Sequence, residues 1–164
     1  MAASHTATVI WTRGTDDFLD KRYHRSHQWQ FDGGATVAAS SSPHVVPLPY
    51  SDAAAVDPEE AYIAALSSCH MLWFLDLASR AGWRVNRYTD AAVGTMAPDA
   101  QGRLIVSHVQ LRPVTVFDAA HAPTEAALTE LHHRAHEACF LANSVKTHID
   151  CSPVLEVDGT AEGA

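Results

Sequence analysis

Three cysteines and eleven histidines are the residues of this chain whose types could do chemistry. Cys69 stands in Ser67-Ser68-Cys69-His70, a small, polar run inside an otherwise apolar stretch. Burying such a run is costly unless each group finds a partner. A thiol and an imidazole at that place therefore raise the question of reactivity. The plain alternative is an inert core thiol, since free cysteine is among the residue types most often buried. A nucleophile must be a thiolate, and apolar surroundings raise a thiol pKa. On a helix that starts at Asp57, Cys69 lies ~18 Å along the axis at ~1.5 Å per residue, out of reach of the helix dipole. A reactive Cys69 needs a cation from elsewhere, and His70, Arg22 and Arg25 are the candidates.

The second thiol closes Leu131-His132-His133-Arg134-Ala135-His136-Glu137-Ala138-Cys139. His132, His136 and Cys139 fall at i, i+4 and i+7, on one helical face, a set compatible with a transition metal. No HExxH or CxxC pattern accompanies them, so a solvated histidine-rich face is the simpler account. His5, His24, His27, His44, His108, His121 and His148 show no ligand spacing and read as surface residues. Glu59 and Glu60 suit the positive end of a helix. One of them could also pin an arginine and so orient it beside a thiol. Cys151, next to Ser152 and Pro153, reads as structural.

The elements that must position these groups follow from local signals. Asp57 is an N-cap, Pro58 fits the first helical position and Glu60 completes a capping box. Gly82 supplies the stop, so the spacing predicts a helix from Asp57 to Arg80. Ile63, Leu66, Trp73, Phe74 and Leu77 form one apolar stripe and Tyr62, Ala65, Cys69 and Leu72 another. A helix apolar nearly all round is expected to be buried on most sides. Ala7–Thr12 reads as a strand, and Tyr23–Phe31 leads through Asp32-Gly33-Gly34 into a returning strand, Ala35–Ala39. Val85–Met96 and Leu104–Val116 read as two longer strands, Pro123–Phe140 as a second helix and Val154–Val157 as a last strand. The whole, 1–164, is expected to be a single α+β domain, with its core at 6–157 and a frayed tail at 158–164.

The chain of 164 residues has 47% hydrophobic and 18% charged residues, ordinary for a globular protein. A net charge of −8 argues against nucleic acid and anionic membrane as partners. No basic region followed by an apolar run opens the chain, so no signal peptide is expected. No apolar run is read as approaching ~20 residues, so no membrane span is expected either. An odd, scattered set of three cysteines suits a cytoplasmic protein with reactive or buried thiols.

Two motifs then line up. Asp57-Pro58-Glu59-Glu60, an alanine-rich helix and Ser67-Ser68-Cys69-His70 form one; Ala135-His136-Glu137-Ala138-Cys139-Phe140-Leu141-Ala142-Asn143-Ser144 forms the other. Together, in this order, they resemble the OsmC/Ohr family of osmotically inducible and organic hydroperoxide resistance proteins, from about Thr6 to Val157. Phe140 stands where members often carry proline, and His70 and Trp73 are bulkier than usual, marking a divergent branch. The resemblance implies an α+β, OsmC-like fold: a long buried central helix and a second helix packed on antiparallel sheets, in an intertwined homodimer. It implies a thiol peroxidase that reduces organic hydroperoxides with no cofactor or metal, using an external dithiol as reductant. By the same resemblance Cys69 is the peroxidatic thiol, Cys139 the resolving thiol and Glu59 the motif glutamate. Arg25, or failing that Arg22, is the activating arginine. A binding or stress-response module that has lost turnover is the alternative from another functional class.

Overall fold

The computed structural model describes residues 2–158. They fall into two compact units, divided between Ala61 and Tyr62. The expected frayed tail lies outside the described residues except Asp158, which is paired in a strand.

In the first unit, β1 (Ala7–Ile10), β2 (His27–Phe31) and β3 (Thr36–Ala39) form an antiparallel meander. Val9 pairs with Trp29, and Trp29 with Val37. The turn falls where the two glycines put it. Gly34 takes φ +86°, and its N–H donates to the Phe31 carbonyl, closing the β2–β3 connection. The helix α1 (Pro58–Arg80) begins by the expected reciprocal cap. Asp57 N–H donates to Glu60 Oε2 at 3.1 Å, and Glu60 N–H to Asp57 Oδ1 at 2.8 Å. It ends as Gly82 predicts: with Gly82 at φ +81°, Trp83 N–H reaches the Ala78 carbonyl and Gly82 N–H the Ser79 carbonyl.

The second unit carries β4 (Val85–Asp90), β5 (Val93–Pro98), β6 (Leu104–Leu111), β7 (Pro113–Asp118), α2 (Glu125–Ala138), β8 (His148–Cys151) and β9 (Val154–Asp158). The two long strands expected at Val85–Met96 and Leu104–Val116 are each broken in two. β4 and β7 pair in one sheet, β5 and β6 in another. The break has a physical cause. Pro113 brings no N–H, and the Asp90 carboxylate, at the last pair of the β4–β7 ladder, accepts the Arg112 N–H at 2.7 Å and so ties the two corners together. β8 and β9 then join in parallel, on β6 and β7 respectively, making each sheet mixed, in the order β5-β6-β8 and β4-β7-β9. β8 had no counterpart among the expected strands.

Two apolar clusters make the core. Phe74 and Ala78 of α1 pack with Phe117 of β7 and with Leu128, Leu131 and Ala135 of α2. Two turns before Phe74, Leu66 packs with Val109 and Leu111 of β6. In α1 the buried stripe is Leu66, His70, Phe74 and Ala78. Burial on most sides, expected from the apolar circumference, does not occur within one chain: Leu72 is 62% exposed. The expectation that no apolar run reaches membrane-spanning length is also corrected. α1, 23 residues long, is long and apolar enough by length and composition, yet its buried stripe is seated on the two clusters.

Candidate thiol site

The polar run in mid-α1 is provided for residue by residue. Ser67 Oγ donates to Asp90 Oδ2, Ser68 faces solvent, Cys69 meets Cys139, and His70 meets His132. Cys139 sits at the C-cap of α2, where its N–H donates to the His136 carbonyl at 3.2 Å. It is 1% exposed. Its Sγ accepts the Ala142 N–H at 3.4 Å and lies near Cys69. Burial, then the Cys69 contact, push the Cys139 thiol up to about 11, with the Ala142 N–H pulling weakly the other way. Cys139 therefore keeps its proton at neutral pH. All three cysteines are free thiols.

Cys69 opens onto a cavity of about 390 Å³ lined by Leu72, Trp73, Asp76, Arg80 and Phe140. Trp73 and Phe140 meet edge to face, ring centres 5.3 Å apart, and make one wall. Asp76 and Arg80, at i and i+4, form an ion pair at 3.0 Å along the same helix face. Sequence reasoning passed over this pair. Its signal was available in the i, i+4 spacing, which also carries it on from Cys69 and Leu72.

Arg25 and Glu59 belong to the first unit, where both line a separate cavity of about 500 Å³ with Val9, Trp11, Phe18 and Tyr23. The Arg25 guanidinium lies 3.8 Å over the Tyr23 ring and donates to the carbonyls of Lys21 and Tyr23. Arg22 is exposed and faces Asp20 at 3.7 Å. Of the two arginines, Arg25 is the one that shares a cavity with Glu59.

Two expectations are overturned. His70 is no cation for Cys69: it is 1% exposed, and burial, with the nearby His136, lowers its pKa to about 4. Nor is the histidine-rich face of α2, read as solvated, wholly so: His132 is 2% exposed, and His132, His136 and Cys139 are not gathered as ligands. Common helical spacing does not decide where side chains end: His132 turns inward to His70, while Cys139, at the helix end, turns to Cys69. The structure gathers His70, His132 and Cys151 instead, on α1, α2 and β8. No spacing within one element could have announced that. Cys151, read as structural, packs in the Leu66 cluster with Sγ 3.9 Å from His70 Nε2. His108 and His148, read as surface residues, are partners on β6 and β8 and both face Asp150, at 2.9 and 3.1 Å, on the solvent side. They hold the Asp150 carboxyl below its usual range.

Comparison with known proteins places this geometry. The profile of the OsmC-like protein family matches residues 51–153. No curated protein matches the chain. An OsmC-like protein of unknown function from Vibrio cholerae superposes with a TM-score of 0.91 at 48% identity, covering 93% of this chain and 100% of that one. At 14% identity the fold is shared with an organic hydroperoxide resistance protein from Elizabethkingia anophelis, TM-score 0.64, covering 96% and 100% of the two chains. It is likewise shared with the organic hydroperoxide resistance protein OhrB of Bacillus subtilis, TM-score 0.58, covering 94% and 98%, also at 14% identity. A profile matching more than half of the chain and a relative this similar over nearly all of it agree with the two helices that carry the thiols, and the chain belongs to the OsmC-like protein family.

Proposed function

We propose that this protein reduces organic hydroperoxides with its own thiols. The observation that carries the reading is the nearness of the buried Cys139 to Cys69, which itself lines an apolar cavity. The two solved hydroperoxide resistance proteins of the same fold agree with it. The Cys69 thiolate attacks the terminal peroxide oxygen. The O–O bond breaks, the alkoxide leaves and takes a proton to become an alcohol, and Cys69 is left as a sulfenic acid. Cys139 then attacks the Cys69 sulfur, an S–S bond forms and water leaves. An external dithiol reduces the disulfide and restores both thiols. Leu72, Trp73 and Phe140 around Cys69 favour alkyl over hydrogen peroxide. Arg25, with Glu59, is proposed to hold Cys69 as thiolate, the role the family resemblance assigns to such a pair. Free thiols suit a reducing compartment such as the cytoplasm.

The test is steady-state consumption of an alkyl hydroperoxide with a dithiol donor. Cys69→Ser is expected to lose roughly 10³-fold or more of the activity, as removal of a nucleophile does. Cys139→Ser is expected to complete one turnover and stop at a trappable sulfenic acid. Equal rates for wild type and Cys69→Ser would sink the peroxidase reading in favour of a non-catalytic binding module.

A further inference from the structure

We infer that His70, His132 and Cys151 form a copper(I) site in the core of the second unit, apart from the peroxidatic pair. Three donors from three elements converge: one nitrogen of each imidazole and the thiol sulfur all lie within 4.8 Å of one another. His70 Nε2 is 2.9 Å from His132 Nδ1 and 3.9 Å from Cys151 Sγ. Both imidazoles are essentially inaccessible, at 1% and 2% exposure. Phe74 lies against the His132 ring, centres 4.1 Å apart, and fixes its plane.

As it stands, the pair does not satisfy itself. The ring centres are 5.2 Å apart and the planes differ by 4°, so with a 2.9 Å N···N contact the rings meet edge to edge across one N–H···N bond. One ring donates and the other accepts. Whichever way the shared proton points, one outer nitrogen then carries a buried N–H without an acceptor, because His70 Nδ1 and His132 Nε2 both lack partners. The hydroxyls of Tyr88, whose ring centre is 6.3 Å from that of His132, and of Thr115 are also buried without partners.

The donor set selects the ion. Two neutral imidazoles and one thiolate are soft to borderline ligands and suit copper or zinc. Structural zinc takes four protein ligands, whereas the His₂Cys trio is the trigonal set that copper accepts. Among the described residues no fourth histidine, cysteine or carboxylate joins this group. Cu⁺ with one thiolate is also locally neutral, which lessens the cost of burying charge. In a trigonal site, nitrogens bound to one ion at ~2.0–2.1 Å stand roughly 3.5–3.6 Å apart. From 2.9 Å, the His70 and His132 nitrogens must therefore part by roughly 0.6–0.7 Å and the rings turn in their common plane to aim at the ion. The balance is simple: Cu⁺ enters, the Cys151 thiol loses its proton, and the proton between the rings moves to an outer nitrogen. One proton is released per ion, and no electron moves.

The experiment uses tag-free full-length protein carrying Cys69→Ser and Cys139→Ser, titrated anaerobically with Cu⁺ against a chromogenic chelator. Expected are one tightly bound equivalent, one proton released per ion by calorimetry in buffers of different ionisation enthalpy, and a raised Tm. X-ray absorption on the same sample is expected to show one sulfur and two nitrogen neighbours. Adding Cys151→Ser should weaken binding more than about 100-fold, beyond the loss typical of an outer-shell partner. His132→Gln, checked for folding by circular dichroism, should do the same; if it does not fold, the absorption spectrum decides alone. The inference is overturned by absence of binding, by undiminished binding in the Cys151→Ser protein, by a coordination shell without sulfur, or by displacement of Cu⁺ by equimolar Zn²⁺.

Discussion

The two thiols of the proposed reaction are set apart by their surroundings. Cys69 lines an open cavity, while Cys139 is enclosed at the end of α2 and is pushed up to about 11 by burial and by Cys69. At neutral pH this keeps a proton on Cys139 and leaves little thiolate for the second step. The sign follows from the direction of the shift. Below about pH 11 the Cys139 thiolate fraction grows tenfold for each pH unit, and disulfide formation should grow with it. Stopped-flow measurement of disulfide formation from pre-formed Cys69 sulfenic acid, between roughly pH 7 and 9.5, is expected to show a log–linear rise with slope near one. A flat profile would show that deprotonation of Cys139 does not limit this step. Both cysteines were legible in the sequence through the motifs around them. Their inequality was not, because it depends on the Ala142 N–H, the α2 end and the Cys69 sulfur meeting at one place.

At the scale of elements, local chemistry announced what local chemistry controls. The Asp57–Glu60 cap, the Gly82 stop and the Asp32-Gly33-Gly34 turn all form from residues close in sequence. The broken strands were not readable, because the tie between Asp90 and Arg112 spans 22 residues. The His70–His132–Cys151 group needs α1, α2 and β8 at once, with residues 62 and 81 positions apart. Periodicity marks an apolar face without naming what lies against it. Gly94 of β5 shows how close that approach is: a Cβ there would stand 2.4 Å from Ile63 Cδ1 and 2.8 Å from Ile63 Cγ1 of α1. Since Ile63 is β-branched and stiff at χ1, it cannot swing away freely. Gly94→Ala is expected to destabilise by about 1–3 kcal/mol through overpacking. Pairing it with Ile63→Val should recover part of the loss in a double-mutant cycle. Denaturant unfolding that shows the single variant as stable as wild type would mean the helix backs off the sheet at no cost.

For the whole molecule, the apolar surface of α1 asks for a partner. Leu72 is 62% and Phe140 68% exposed, and both border the cavity that Cys69 opens onto. Leaving large apolar side chains in water at a reactive site gives up the stabilisation their burial offers, about 1.5–3 kcal/mol for each side chain fully covered. A second copy of the chain laid over this face would recover it, and would close the cavity around an alkyl peroxide. This is the homodimer that the family resemblance implies, and it carries the last prediction. If the activating arginine reaches the thiol across that interface, each site draws on both chains. A Cys69→Ser protein and an Arg25→Ala protein, each nearly inactive, should then complement one another when subunits exchange. At equal amounts and random exchange about half of the dimers pair unlike chains, and each such dimer has one intact site. Peroxide consumption should rise accordingly, in step with the heterodimer fraction seen by native mass spectrometry. Heterodimers without activity would place both residues in one chain. A monomer active at concentrations too low for association would remove the shared site altogether.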